Sequence, residues 1–247
     1  MKVKRVKSGF MLAELAIVLI IVGVLASMTV FAAQFLESGK NQSLIYEITA
    51  LRRNVAKFYE IYKALPGDFE NAGAAMGASR SGNGNGFYDV VNSSHESLFA
   101  WHHMAKAAII TGNFTFAYSS IPGVNLPKSR VILDGGYRLG SEIPVEISGG
   151  GFGSRYKILL ELAGYSVQNT TNGRGYIGAV RAVNMQEIDV KIDDGEPLDG
   201  FVLGLNDANL RCNTGSGTPT VGVYQASIVY KNDKTNGCIF SMILNEY

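Results

Sequence analysis

The chain is poor in the residues that most chemistry needs. It holds two cysteines and three histidines in 247 residues, so at most one internal disulfide bridge can form and little is available for a cysteine- or histidine-built metal centre. A basic field is missing too. Lys2, Lys4, Arg5 and Lys7 take four of the 22 basic residues into the first nine positions, leaving 18 basic against 21 acidic residues, a formal −3, for the remainder. That balance excludes a broad nucleic-acid-binding surface. Internal repeats and long flexible linkers are absent, and 47% hydrophobic residues argue against disorder and for one good-sized globular domain, or two small ones, besides the N-terminal segment.

The last scarcity is local. Between Phe10 and Phe35 only Glu14 carries a formal charge. Leu15 to Leu36 is an apolar run interrupted mildly by Ser27, Thr29 and Gln34, long enough to cross a bilayer as a helix. The four positive charges before it hold the N-terminus in the cytoplasm and send the bulk of the chain across. A cleaved secretory signal has a shorter apolar region ending at a small-x-small site, whereas this run continues through "ASM" and "FAAQ" in helical pattern. Neither a signal peptide nor a simple anchor accounts for Glu14, since an acid at the centre of a membrane helix costs about 3 kcal/mol.

The stretch Lys7-Ser8-Gly9-Phe10-Met11-Leu12-Ala13-Glu14-Leu15 resembles the leader of type IV prepilins and of type II secretion pseudopilins. The resemblance implies cleavage between Gly9 and Phe10 by a prepilin peptidase, N-methylation of Phe10, and retention of the apolar helix with Glu14 as fifth residue of the mature chain. A physical reason stands beside it. Cleavage creates an ammonium at Phe10, and among packed parallel helices Glu14 of one subunit can neutralise the Phe10 ammonium of its neighbour, far more strongly than in water. A one-residue slip leaves both charges unpaired, so Glu14 reads as a register pin for assembly. Many pilins carry a proline about two thirds along this helix; here the matching stretch "SMTVFAAQ" has Phe31 and no proline, so a kink or melted turn is not implied.

From Asn41 to Tyr62, apolar residues recur at Leu44, Ile48, Leu51, Val55, Phe58, Tyr59 and Tyr62, one stripe of an amphipathic helix that stops at Leu65-Pro66-Gly67-Asp68. Gly39 weakens the junction without breaking it, so one long helix is expected. The chain then divides into a leader (1–9), a transmembrane and assembly half-helix (10–36), an amphipathic half (37–64) and a globular head (65–247). "ALPGDFENAGAAMG", "SGNGNGFYDV" and "ESLFAWHHMAKAAIITGNF" resemble a recurrent arrangement in some bacterial prepilin-type proteins. Ser93-x-x-Glu96 is a capping box, and Leu98, Trp101, Ala105, Ala108 and Ile109 form one face of a helix expected to end at Gly112. Beyond it, "RVILDGGYRL", "IPVEISG", "SRYKILLEL", "GYIGAVRAV", "QEIDVKI", "GFVLGL", "ASIVYK" and "CIFSMIL" are short β-rich runs cut by turn residues; "ILLEL" fits a helical turn equally well. The expectation is an α+β fold, a long N-terminal helix on an antiparallel sheet, which is also the pilin plan.

Cys212 and Cys238 have 25 residues between them, a segment that begins and ends in turn residues. They suit one bridge in an oxidising compartment, worth roughly 3 to 4 kcal/mol by loop closure, with two buried free thiols as the alternative. His102 and His103, adjacent on a helix, point about 100° apart and share a metal poorly, so a structural role is expected. Gly173 to Gly178, "GRGYIG", matches G-x-G-x-x-G but lacks a strand leading into it; it and "GNGNG" read as turns. In "DVKIDDGEPLDGF", Asp189, Asp193, Asp194, Glu196 and Asp199 crowd five carboxylates into eleven residues. Asp193, Asp194 and Asp199 are the calcium candidates, set against a solvated acidic turn, because oxygen-rich loops suit calcium but no Asp-x-Asp-x-Asp-Gly spacing is present. No other cofactor is expected.

Three functions compete. One is a structural subunit, a minor type IV pilin or alternatively a pseudopilin of type II secretion, partnered by prepilin peptidase, other pilin subunits and an inner-membrane assembly platform. It would lie in a bacterial inner membrane with its head in the periplasm, and then in a periplasmic or cell-surface filament. The second is a membrane-anchored binding or adhesin module that never polymerises, against which Glu14 speaks. The third is an anchored enzyme, for which the chain supplies no catalytic set. The C-terminal cysteine pair resembles the bridged loop of type IV pilins, and the long, Gly-rich head favours a minor subunit.

Overall fold

In a computed structural model of the chain, residues 12–89, 96–115, 120–142, 157–164, 177–198, 200–207, 211–214, 230 and 235–244 are described. The chain forms two compact units, Met1–Gln42 and Ser43–Tyr247. Helix α1, Leu12–Tyr62, begins in the first and ends in the second. No proline interrupts it, and Gly39 lies inside it as the sequence predicts. It stops where Lys63 turns left-handed, φ 52°, while its N–H still reaches the Tyr59 carbonyl at 2.8 Å; Pro66 then prevents any resumption.

Within the second unit, Leu44, Ile48, Val55 and Phe58 are fully buried at the three- and four-residue steps that keep one face of a helix together. Each such burial contributes about 1.5–3 kcal/mol. Glu47, on the same length of α1, accepts from the Tyr137 hydroxyl at 2.7 Å, the Ser129 hydroxyl at 2.8 Å and the Arg130 N–H at 2.9 Å. That clamp fixes the helix against the entry to the sheet.

Two short helices follow, α2 (Ala72–Met76) and α3 (Glu96–Lys106). Among the described residues the sheet has five antiparallel strands: β1 Gly135–Glu142, β2 Lys157–Gly164, β3 Val180–Arg181, β4 Val202–Asn206 and β5 Asn236–Ile243, with helix α4, Ala182–Ile192, between β3 and β4. β5 is the hub. It pairs with β2 over Phe240–Ile243 and with β3 at Asn236 and Cys238, while β4 runs beside Cys238–Met242. Since β4 overlaps both partners in register, it occupies the opposite edge of β5.

Alternation sorts the strand residues into two cores. Tyr137, Leu139, Leu160, Leu162, Phe240 and Met242 join α1, Leu98, Trp101 and Met104 of α3, and Met185 and Ile188 of α4. Leu159, Ala163, Leu203, Leu205, Ile239 and Ile243 form a second cluster on the other face. The α+β class and the antiparallel sheet agree with the sequence reading.

Three element readings need correction. "QEIDVKI" and the last two residues of "AVRAV" are helical, while Val180–Arg181 of that run is strand β3 as expected: Ala182, Met185, Ile188 and Asp189 are buried at helical spacing in α4, so the 3.6-residue period outweighs the β-branched composition. The run from Arg130 becomes strand only at Gly135, after a turn in which Asp134 adopts φ 59°. Helix α3 ends at Lys106 rather than Gly112: Ala108 is left-handed, φ 55°, and Ile109 N–H bonds to the Met104 carbonyl while Ala108 N–H bonds to that of Ala105. This is a Schellman stop with alanine in the usual glycine place. "ILLEL" is strand, within β2. "IPVEISG" and most of "ASIVYK" lie outside the described residues.

Candidate functional site

The N-terminal half of α1 is built from side chains that favour lipid. Leu15, Ile17, Val18, Leu19, Ile20, Ile21, Val22, Val24 and Leu25 are all exposed, as are Phe31 and Phe35 at 71% and 80%. The apolar surface goes right round the helix, the pattern of a membrane span rather than of a groove-packing amphipathic helix. This helix is long and apolar enough to cross a membrane; residues 12–36 alone rise about 37 Å at 1.5 Å each, against a hydrocarbon core of about 30 Å. The polar interruptions are internally satisfied: the Ser27 hydroxyl donates to the Val24 carbonyl at 2.8 Å and that of Thr29 to Ala26 at 2.7 Å, so neither presents an unmet donor to lipid. Glu14 lies in the first turn, where the helix dipole favours an acid. Gly9 and Phe10, the expected cleavage and methylation residues, lie outside the described residues.

The "ALPGDF", "GNGNG" and "ESLFAWHH" runs of the head meet in one place. Asp68 of Leu65-Pro66-Gly67-Asp68 accepts from the Asn85 N–H at 3.1 Å and the Gly86 N–H at 2.8 Å, and Glu96 accepts from the N–H groups of Asn83 at 3.0 Å and Asp89 at 2.9 Å. Thus "GNGNG" is a loop wrapped around two buried carboxylates. Burial pushes the Asp68 carboxyl up against those N–H donors, and pushes Glu96 up to about 7. Ser93, the expected cap, lies outside the described residues, and the Glu96 carboxylate serves the loop through those two N–H groups.

His103 is fully buried and ties the other side of this knot. Its Nδ1 accepts from the Gly67 N–H at 2.9 Å, so Nε2 carries the proton and donates to the Arg80 carbonyl at 2.8 Å. Burial lowers its pKa to about 4. His102 uses Nε2 to accept from the Ser79 N–H and Nδ1 to donate to the Phe114 carbonyl at 2.7 Å. Both rings are engaged in backbone bonds, the structural role expected. Gly67, φ 95°, permits the approach: a Cβ there would overlap the Glu96 carbonyl oxygen.

Cys212 and Cys238 are bonded, with Cα atoms 4.6 Å apart. Asn206 positions the first: its Oδ1 accepts from the N–H groups of Cys212 at 2.8 Å and Asn213 at 3.0 Å, and the Asn213 amide donates to the Gly204 carbonyl at 2.6 Å. Cys238 lies in β5, opposite Asn206. The bridge therefore pins the loop to the hub strand.

The acidic turn brings Asp193 and Asp194 together, with Asp189 as third member rather than Asp199, which lies outside the described residues. Asp189 and Asp193 are four residues apart at the C-terminal end of α4, a spacing that puts both on one side and was readable once the helix was recognised. Tyr230 was not anticipated; its hydroxyl donates to Asp189 Oδ2 at 2.7 Å. Burial, opposed by that bond, raises the Asp189 carboxyl to about 7. Of "GRGYIG", Ile177 forms a bridge to Gly164 and the chain then enters β3, so the motif precedes a strand and does not open a helix. No protein-family model, no curated protein and no solved structure matches the chain.

Proposed function

We propose that this chain is a type IV pilin-like structural subunit, a minor pilin, cut between Gly9 and Phe10, methylated at Phe10 and assembled into a filament through α1. Prepilin peptidase, other pilin subunits and an inner-membrane platform are its partners. Its head lies in the periplasm before assembly, and its role is structural rather than enzymatic.

One observation carries the reading: α1 exposes apolar surface on all sides through the region containing Glu14, its only formal charge before Glu37. Lipid accepts such a surface in a lone subunit, and neighbouring copies of the same helix accept it in a filament. The acid fits the second environment, where a neighbour's Phe10 ammonium offsets it. The disulfide-held C-terminal loop supports the pilin form of the head over a plain anchor.

The test is Glu14→Ala in cells carrying the assembly machinery. The variant is expected to insert and be processed normally yet to be missing from sheared filaments. Incorporation equal to wild type would overturn the pin.

A further inference from the structure

We propose that the cleft between the second half of α1 and the two loops that precede β1 binds a small amphipathic anion, an aromatic body carrying one carboxylate. The site lies wholly in the second unit, and its test does not depend on the filament reading.

The cleft holds about 790 Å³, a volume that suits a small molecule. Leu51 of α1 faces it with Ile109, Ile110 and Phe114, four side chains that pack on the larger core yet are only partly buried. The left-handed stop at Ala108 puts the isoleucines there, since the chain leaves α3 with the N–H groups of Ile109 and Ile110 both bonded back to the Met104 carbonyl. Phe114 is fixed from two sides. Its carbonyl accepts from His102 Nδ1 at 2.7 Å, and the next N–H, that of Thr115, donates to the Val124 carbonyl at 3.0 Å. Its ring lies over Gly112, where a Cβ would overlap it. Walls set in advance spare a ligand the cost of ordering them.

Charge selects the ligand. Glu47, Lys128 and Arg130 are the charged residues of the lining, two positive against one negative. Glu47 is already engaged: Oε1 accepts the Arg130 N–H, and Oε2 accepts the hydroxyls of Ser129 and Tyr137. Ser129 is buried between two exposed neighbours, so Lys128 and Arg130 project together on the side away from it. The Lys128 ammonium meets Asp134 only at 4.0 Å, with both side chains exposed, a pair worth little. The Arg130 guanidinium forms no ion pair among the described residues, and its planar fork matches a carboxylate. Tyr46, 67% exposed, adds a second aromatic side chain to that of Phe114 in the lining. Two such rings favour an aromatic body over an aliphatic one.

The experiment uses the full chain in nonionic detergent micelles and 4-phenylbutyrate as probe, read by saturation-transfer NMR against empty micelles, with thermal unfolding followed in parallel. Saturable binding is expected with a Kd of about 1 mM, the scale that ligand efficiency sets for so small a molecule. Butyrate, which lacks the ring, and 4-phenylbutanol, which lacks the charge, should each bind about tenfold more weakly or worse. Arg130→Gln alters an exposed side chain and keeps the N–H that Glu47 accepts; it should weaken the probe by about tenfold or more. Ala50→Phe fills the cleft from α1 and should abolish binding without lowering the melting temperature. No transfer above the micelle blank at about 10 mM probe, well beyond the expected Kd, would overturn the site. An Arg130→Gln or Ala50→Phe protein that binds as tightly as wild type would do the same, and 4-phenylbutanol binding as tight as 4-phenylbutyrate would overturn the anion class.

Discussion

Arg138 of β1 and Glu161 of β2 stand directly opposite each other in register and form an ion pair with both side chains almost wholly buried. They lie on the face of the smaller core, beside Leu159 and Ala163. Two charges removed from water are tolerated only together. Glu161→Gln should therefore cost about 3–5 kcal/mol, because it strands a guanidinium, whereas Arg138→Met with Glu161→Leu should cost little or stabilise. Urea unfolding of the detergent-solubilised chain measures both; equal losses in the single and double variants would contradict the account.

Ala108 occupies the left-handed stop of α3 with φ 55°. An L-residue there costs about 1–2 kcal/mol, part of which glycine returns through its larger unfolded-state entropy. Ala108→Gly should raise stability by roughly 0.5–1 kcal/mol. A loss of stability on the same unfolding curve would show that the helix does not stop there.

His103, buried and neutral between Gly67 and Arg80, has its pKa lowered to about 4. Unfolded histidine titrates near 6.5, so between those values the unfolded chain takes up a proton that the folded one refuses. The stability tied to neutral His103 is present above about pH 6.5 and lost as pH falls towards about 4, amounting to about 3 kcal/mol. Glu96 works in the opposite sense: raised to about 7 by burial, it favours the folded chain below its unfolded pKa and loses that contribution as pH rises through 7. The two must be separated by a variant. His103→Gln keeps a donor and an acceptor but cannot titrate, so the wild type should lose stability relative to it from pH 6.5 to 4. Parallel pH profiles would contradict the assignment.

Long-range periodicity was legible in the sequence, and local chemistry less so. The apolar run before Leu36 and the stripe Leu44, Ile48, Val55 and Phe58 announce α1 because many residues repeat one period. β5 is likewise plain from "CIFSMIL", whereas "ILLEL" of β2 fits a helical turn equally well in sequence and only its pairing with β1 and β5 decides for strand. Helix α4 was missed because Val and Ile bias composition towards strand, although Ala182, Met185 and Ile188 carry a helical spacing. The stop at Ala108 was invisible since alanine ordinarily extends helices. Neither the wrapping of "GNGNG" around Asp68 and Glu96 nor the meeting of Asp189 with Tyr230, 41 residues away, follows from spacing; both depend on tertiary packing. The cysteine pairing was legible because two cysteines permit one bridge, and the structure forms it.

The filament reading stands on where the mature chain begins. Intact mass and N-terminal fragmentation of the protein, purified from cells that contain a prepilin peptidase, test it most directly. The account predicts a chain that lacks the first nine residues and starts at a phenylalanine carrying one methyl group, with the apolar helix retained. A chain that still begins at Met1, or one whose terminus falls beyond the apolar helix, would contradict it.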